Sequence, residues 1–286
     1  MLTIIIENSK GKQYRLTQNE VKIQLDSVTG LNPPAASISL VENIGDGDLF
    51  VHERTGSRNI VINMIIKGSV EDNRLELYQY VQNGKYIKLY ISTNSKNVWI
   101  EGRVESTEID NFQQTTTCQI SVICPDPWFK DVEETINSIN TVQPKFHFPF
   151  HIVNPIPFSI YETIQILNLV NEGNVESGMT IEITARGTVV NPIIYNRETS
   201  EFIGLGNADN PYTMQSGDKI VITTHTNNKR VKMIRNAVET NIFNHLTPNS
   251  TFLKITPGDN VFTYSADDGN EYIDITFRHY SNYEGI

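Results

Sequence analysis

Short runs in which apolar and polar residues alternate recur along almost the whole chain. A two-residue period restricts the fold to sheets that bury one face and solvate the other. Ile4 and Ile6, then Val21, Ile23 and Leu25, then Ile38 and Leu40 open the pattern. In NIVINMIIKG, Ile60, Ile62, Met64 and Ile66 share one face while Val61 and Ile65 take the other. A strand apolar on both faces belongs in the middle of a sheet, covered on both sides. One helix interrupts the strands. Ser69 stands at its N-cap with Asp72 three residues on, Leu75, Tyr78 and Val81 form an apolar stripe flanked by Leu77, and Asn83-Gly84 supplies a left-handed stop. YIKLYIS, NVWIEGRVES and TTTCQISVIC then continue the sheet as a meander.

The two cysteines lie within that last strand. Cys118 and Cys124 point the same way, about 20 Å apart at ~3.3 Å per residue, which is too far for a disulfide. With no neighbouring histidine they make a poor zinc site and are expected in the core.

Prolines divide the chain. CPDPWF (124–129) cannot lie inside a paired strand, so Pro125, Pro127, Trp128 and Phe129 are expected as an anchor at a domain boundary. Beyond it, Pro144, Pro149, Pro155 and Pro157 stand among Phe146, Phe148, Phe150 and Phe158. Three regions result: an N-terminal β-domain over 1–130, an extended Pro/Phe-rich connector over 131–158, and a C-terminal domain over 159–286. The last reads as an antiparallel β-sandwich of many short strands, among them SIYETIQILNLV, KIVITTHT, KRVKMI, TFLKI and EYIDITFRHY. Asp268-Gly269 between VFTYS and EYIDITF signals a hairpin turn, and Arg235–His245 is the sole further helical candidate. The fold class is mainly β with one helix.

Composition limits function. With 23 basic and 33 acidic residues the net charge is −10, and no basic cluster is denser than Lys229-Arg230-Val231-Lys232, so specific nucleic-acid binding is not expected. No apolar run approaches the ~18 residues of a membrane span, and the N-terminus lacks a secretory signal pattern, so neither membrane insertion nor export is expected. No nucleophile elbow, H-E-x-x-H, phosphate loop or dinucleotide fingerprint is present. His147 and His151 flank Phe148-Pro149-Phe150 and are not placed to share a metal. The acidic stretches Gly45–Asp48 and Asp267–Glu271 lack the ligand spacing of a calcium loop. The expectation is a protein without catalytic residues, cofactor or metal. The alternative is a carbohydrate-binding module recognising bacterial surface glycans, with Tyr195, Phe202, Tyr212 and Tyr264 as its aromatic platform; a glycan-degrading enzyme is a third reading.

Several segments in order resemble one family. Gly56-Ser57-Arg58-Asn59-Ile60 precedes an apolar strand, a single helix follows, CPDPWF closes the domain, and Tyr283–Ile286 ends the chain. VNPIIYNRETSEFIGL, SGDKIVITT and TPGDNVFTY follow the same succession in the C-terminal half. This arrangement is similar to the distal tail proteins of phages that infect Gram-positive bacteria, the siphovirus-type tail component family, which also occurs in contractile tails and bacteriocins. The resemblance implies a virion structural protein at the tail tip, assembled in the cytoplasm of the bacterial host. It implies a homohexameric ring coaxial with the tail tube, with a galectin-like or carbohydrate-module-like C-terminal domain holding peripheral baseplate or receptor-binding proteins. Implied neighbours are tail-tube, tape-measure and tail-fibre or hub proteins, and DNA would pass through the channel without being specifically bound. A ring closed by heterologous contacts needs two different surfaces on each subunit. The polar, glycine-bearing stretch Asn43–Gly56 is long for a hairpin loop, and Gly45, Asp46, Gly47, Asp48 and Leu49 are expected to reach a neighbouring subunit.

Overall fold

The computed structural model describes residues 2–17, 22–110, 115–139, 142–144, 159–161 and 166–286. Among them the chain is mainly β with a single α-helix, and all strand pairings are antiparallel. It divides into two compact units, Met1–Val132 with Asn282–Ile286, and Glu133–Ser281. The boundaries therefore differ from the expected three regions. Thr135–Ile139, inside the expected connector, is a strand of the second unit, while Asn282–Tyr283 pairs within the first. Phe146, Phe148, Phe150, Phe158, His147 and His151 lie outside the described residues.

The first unit is built on β1 (Thr3–Asn8), β2 (Gln13–Arg15), β3 (Ile23–Thr29), β4 (Ala36–Glu42), β5 (Asp48–Thr55), β6 (Arg58–Ile66), α1 (Val70–Tyr78), β7 (Tyr86–Ser92), β8 (Asn97–Ile109), β9 (Thr116–Cys124) and β10 (Phe129–Asp131). Its main sheet runs β2-β1-β7-β8-β9-β6-β3, with β10 joined to β8 and to Asn282–Tyr283. The period-two residues form the core. Ile60, Ile62, Met64 and Ile66 meet Ile87, Leu89, Ile91, Cys118, Ile120 and Val122. β6 lies between β9 and β3 with one face fully buried, while Val61 and Ile65 opposite are half-buried rather than covered. Both cysteines are in this core as expected, and burial pushes each thiol up to about 12. Gly102 permits the close approach of β8 to β9, because a Cβ there would lie 2.7 Å from Val122 Cγ1 and 2.8 Å from the Ile123 carbonyl.

The helix forms where expected, but its buried stripe is rotated. Asn73 and Leu77 are its buried residues, Val81 follows them into the core, and Leu75 and Tyr78 are exposed. The buried positions are spaced four apart, one helical turn each, whereas the expected i, i+3, i+6 spacing drifts round the helix. Ser69 makes no side-chain cap. Asn73 instead reaches back to donate to the Lys67 carbonyl at 2.6 Å.

The second unit comprises β11 (Thr135–Ile139), β12 (Val142–Pro144), β13 (Ser159–Tyr161), β14 (Ile166–Asn171), β15 (Met179–Ala185), β16 (Val189–Val190), β17 (Ile193–Asn196), β18 (Phe202–Gly204), β19 (Thr213–Met214), β20 (Lys219–His225), β21 (Asn228–Arg235), β22 (Val238–Asn241), β23 (Gly258–Ser265) and β24 (Ile273–His279). Its larger sheets run β11-β24-β15-β20-β21-β22 and β14-β23-β17-β18, beside the two-stranded pairs β12-β13 and β16-β19. Ile181, Ile183, Ile220, Ile222, Val231 and Phe277 from the first pack with Leu169, Ile194, Ile203 and Phe262 from the second as one core. Phe262 and Phe277 meet with ring centroids 5.5 Å apart. This is the expected antiparallel sandwich.

Three local expectations fail in the second unit. Asp268-Gly269 does not close a hairpin, because β23 and β24 belong to different sheets. Gly269 takes a left-handed φ of +75° and lets the chain pass from one sheet to the other; a Cβ on it would lie 1.9 Å from the Thr188 carbonyl. Phe252–Ile255 is not a strand, and Ile255 forms only an isolated bridge to Ser177. Arg235–His245, the further helical candidate, contains β22 and one turn of 3₁₀ helix at Phe243–His245.

Candidate assembly site

The residues expected to reach a neighbour lie at the end of an exposed β-hairpin. Among the described residues β4 and β5 pair only with each other, from Ala36 opposite Thr55 to Glu42 opposite Asp48, with a register shift beside Leu40. The loop is shorter than expected. Most of Asn43–Gly56 is strand β5, whose Leu49-Phe50-Val51 and Thr55 are good strand formers. Only Asn43–Gly47 turns the chain, and Gly47 adopts φ +86° to do so. Gly45 and Asp46 are exposed at the tip, Asp48 opens β5 opposite Glu42, and Leu49 faces Val41.

What sequence reading missed is the apolar surface behind that tip. Directly paired residues share a face of a hairpin. One face therefore carries Ile38, Leu40 and Phe50, which are 59%, 55% and 61% exposed, between Glu53 at one end and Glu42 with Asp48 at the other. The opposite face carries Ser37, Arg54, Ser39 and His52, with a 3.2 Å contact between Ser39 Oγ and His52 Nε2, and ends in Val41 and Leu49. Ile44 at the turn is fully exposed. Each of these apolar side chains still has on the order of 1 kcal/mol to gain from burial. A two-stranded ribbon with no core of its own is marginal in water, so this one needs a covering partner. Exposure was the unreadable part. Ile38 and Leu40 alternate as Ile60 and Ile62 do, and periodicity does not say what lies opposite.

The expected boundary anchor is a different kind of site. Pro127 and Phe129 are buried, Trp128 is half-buried and Pro125 is exposed. Phe129 lies 4.4 Å beneath the buried Arg58 guanidinium. Arg58 donates to four carbonyls: Pro127 at 2.6 Å, Gly30 at 2.6 Å, Asn32 at 2.8 Å, and Glu284. Burial lowers its pKa from the usual guanidinium value, and the carbonyl cage offsets that cost. Arg58 thus holds together three segments far apart in sequence, all within the first unit. Gly285 fits against Pro33, where a Cβ would meet the ring at 2.7 Å. The G-x-R-x-I segment signalled this arginine, although its partners could not be read from the sequence.

No constellation for chemistry gathers among the described residues. No group of three or more His, Cys, Asp or Glu side chains is placed to hold a metal there. Asp267 accepts from Asn191, 76 positions away, at 2.7 Å, and Asp268 from the Gly269 amide at 3.0 Å, so both carboxylates are engaged within the second unit. Of the four expected platform aromatics, Tyr212 and Tyr264 are buried, and Tyr195 and Phe202 pair with each other at 6.0 Å. No helix among the described residues is long and apolar enough to cross a membrane.

Comparison with known proteins gives the fold a context. Residues 172–280 match the family model described as siphovirus-type tail component, C-terminal domain. The crystal structure of the SPP1 Dit protein, described as a paradigm of the hub adsorption apparatus in phages infecting Gram-positive bacteria, superposes with a TM-score of 0.67 at 13% identity, covering 98% of each chain. A chain of the phage P2 baseplate in its activated conformation with Ca matches with a TM-score of 0.56 at 11% identity over 100% of both chains. The corresponding structure with Sr gives 0.55 at 11% identity, covering 98% of each. Among curated proteins none matches the chain in sequence. The chain therefore has the fold, and over residues 172–280 the family signature, of the siphovirus-type tail components.

Proposed function

We propose that this protein is a structural component of a phage or phage-derived tail tip, a hub-type subunit that assembles with itself into a ring of six coaxial with the tail tube. The observation that carries the reading is the β4–β5 hairpin. A ribbon with seven large apolar side chains more than half exposed is a surface built to be covered, and a closed ring supplies the cover from an adjacent copy. The fold shared with the SPP1 Dit protein and the phage P2 baseplate chain supports a place in an adsorption apparatus. Gly45, Asp46, Gly47, Asp48 and Leu49 would lead the contact, with Ile38, Leu40 and Phe50 behind them. A net charge of −10 suits a channel through which DNA slides without sticking, since fixed cations would bind its phosphates. In this reading the second unit holds peripheral baseplate or receptor-binding proteins, and the chain transforms no substrate. Its place is the virion tail tip, reached by assembly in the host cytoplasm.

Negative-stain imaging and sedimentation of the purified chain test the proposal. Six-fold rings with a central hole are expected, and deletion of Asp46–Val51 should leave monomers. A chain that stays monomeric at high concentration and in the presence of its neighbouring tail proteins, or that hydrolyses cell-wall glycan, would overturn it.

A further inference from the structure

Among the described residues, the six-stranded sheet of the second unit ends in a strand with an open side. There β22 pairs only with β21, and all four of its residues are exposed. The turn before it, Asn236 at φ +51° and Ala237 at φ +63°, is a two-residue hairpin turn. Such a turn makes Arg235 and Val238 the first hydrogen-bonded pair, and Ile242 donating to Val231 at 3.0 Å keeps the same parity. Val238 and Thr240 therefore bond inward to β21. The amides and carbonyls of Glu239 and Asn241 point out of the sheet edge.

Natural edges are blunted by lysine, proline, a bulge or a covering loop. β22 has none of the first three: its sequence is Val-Glu-Thr-Asn, and its one charge, Glu239, is neutralised by Lys232 at 2.6 Å. Val238 shares a face with the buried Val231 and Ile242, yet is 64% exposed, so the core side of the sheet ends in an uncovered apolar side chain. Beyond the other end of β22 lie Lys229 and Arg230, neither of them in an ion pair among the described residues. Lys229 stands 5.2 Å from the Phe252 ring, which stacks on the exposed Phe243. In a chain of net charge −10, this edge is locally basic.

We propose that β22 is the docking edge for an extended acidic segment of a partner protein, which adds to the sheet as a seventh strand. The outward groups of Glu239 and Asn241 supply the main-chain bonds, Val238 receives an apolar side chain, and Lys229 with Arg230 receive carboxylates. A second copy of this chain fits less well, because it would bring another cationic edge. The proposal deepens the reading of the second unit as the holder of peripheral proteins and rests on it for the partner's identity, though not for the edge itself.

The test pans a random dodecapeptide display library against the full chain. Expected are enriched peptides that alternate apolar and polar residues and carry Asp or Glu. Binding should protect the Glu239 and Asn241 amides from hydrogen exchange. Glu239→Pro, which removes an outward donor, should weaken binding ~10-fold or more, and Arg230→Glu should weaken it with an unchanged melting temperature. Enrichment of neutral or basic peptides, protection elsewhere, no enrichment, or protection of the same amides by self-association without peptide would each overturn the proposal. Six-fold rings formed by a chain that fails this test would overturn the docking edge alone and leave the tail-tip reading in place.

Discussion

β4 and β6 begin from the same kind of sequence and meet opposite fates. Ile38 and Leu40 in one, and Ile60, Ile62, Met64 and Ile66 in the other, alternate with the same period. β6 lies between two partners with helix α1 in its core cluster, and its four residues are buried. Among the described residues β4 has β5 as its single partner and no layer over it, and its apolar residues face water. Period two specifies a strand with a face to bury. Whether the cover comes from the same chain or from another molecule is decided by topology. The pair thus separates residues that hold the subunit together from residues that hold subunits to each other.

The comparison breaks first at β6. Ile62→Ala should remove a fully buried side chain in a sheet that cannot collapse around the gap, costing about 4 kcal/mol of the first unit's stability. Calorimetry of the full chain would show that unit melting earlier while the second is unmoved. A loss below about 1 kcal/mol would mean that the β6 face is not the core described.

Most of the fold was legible because it rests on periodicity, and the failures have separate causes. The loop reading of Asn43–Gly56 passed over local strand formers, the stripe at Leu75 and Tyr78 passed over the four-residue spacing of a helical face, and the Asp268-Gly269 signal was a local inference overruled by distant packing. Gly269 is a glycine because Thr188, 81 positions away in sequence, leaves no room for a Cβ. Arg58 could be picked out as part of a motif, but its four carbonyl partners come from segments between 26 and 226 positions away. The candidate site was legible at its tip, where glycines and acids mark a turn, and illegible along its strands, where exposure depends on what is missing opposite. Gly269→Ala sharpens this point. It should cost about 2 kcal/mol, from a strained φ and a displaced Thr188 carbonyl, and should destabilise the second unit alone in the same calorimetric experiment.

Acid should also act on the second unit. His279 is buried, contacts the Val170 carbonyl through Nε2 at 3.2 Å, and burial pushes its pKa down from the usual imidazole value. The unfolded chain then binds a proton more readily than the folded one, so stability is full above the ordinary imidazole pKa of ~6.5 and falls as pH drops below it. Asp218 works lower on the scale. Arg235 holds its carboxyl below the usual carboxylate range, so its contribution persists above ~3.9 and is lost only as pH falls through the depressed value. Melting curves between neutral pH and pH 5 should show the second unit weakening, and His279→Gln should flatten that slope. A slope unchanged in the variant would assign the acid response to other groups.

The smallest effect on folding should carry the largest consequence for assembly. Leu40 is more than half exposed on a ribbon that contributes nothing to either core cluster, so Leu40→Ser should change the stability of the isolated chain by under ~0.5 kcal/mol. Its side chain sits beside Phe50 in the middle of the apolar face, where a neighbouring copy would bury both. Sedimentation should therefore lose the oligomer while the melting temperature stays put, a separation that truncating the buried face of β6 cannot produce. Equal losses of folding and assembly in Leu40→Ser would place the hairpin face inside the subunit's own core and erase the distinction between the two strands.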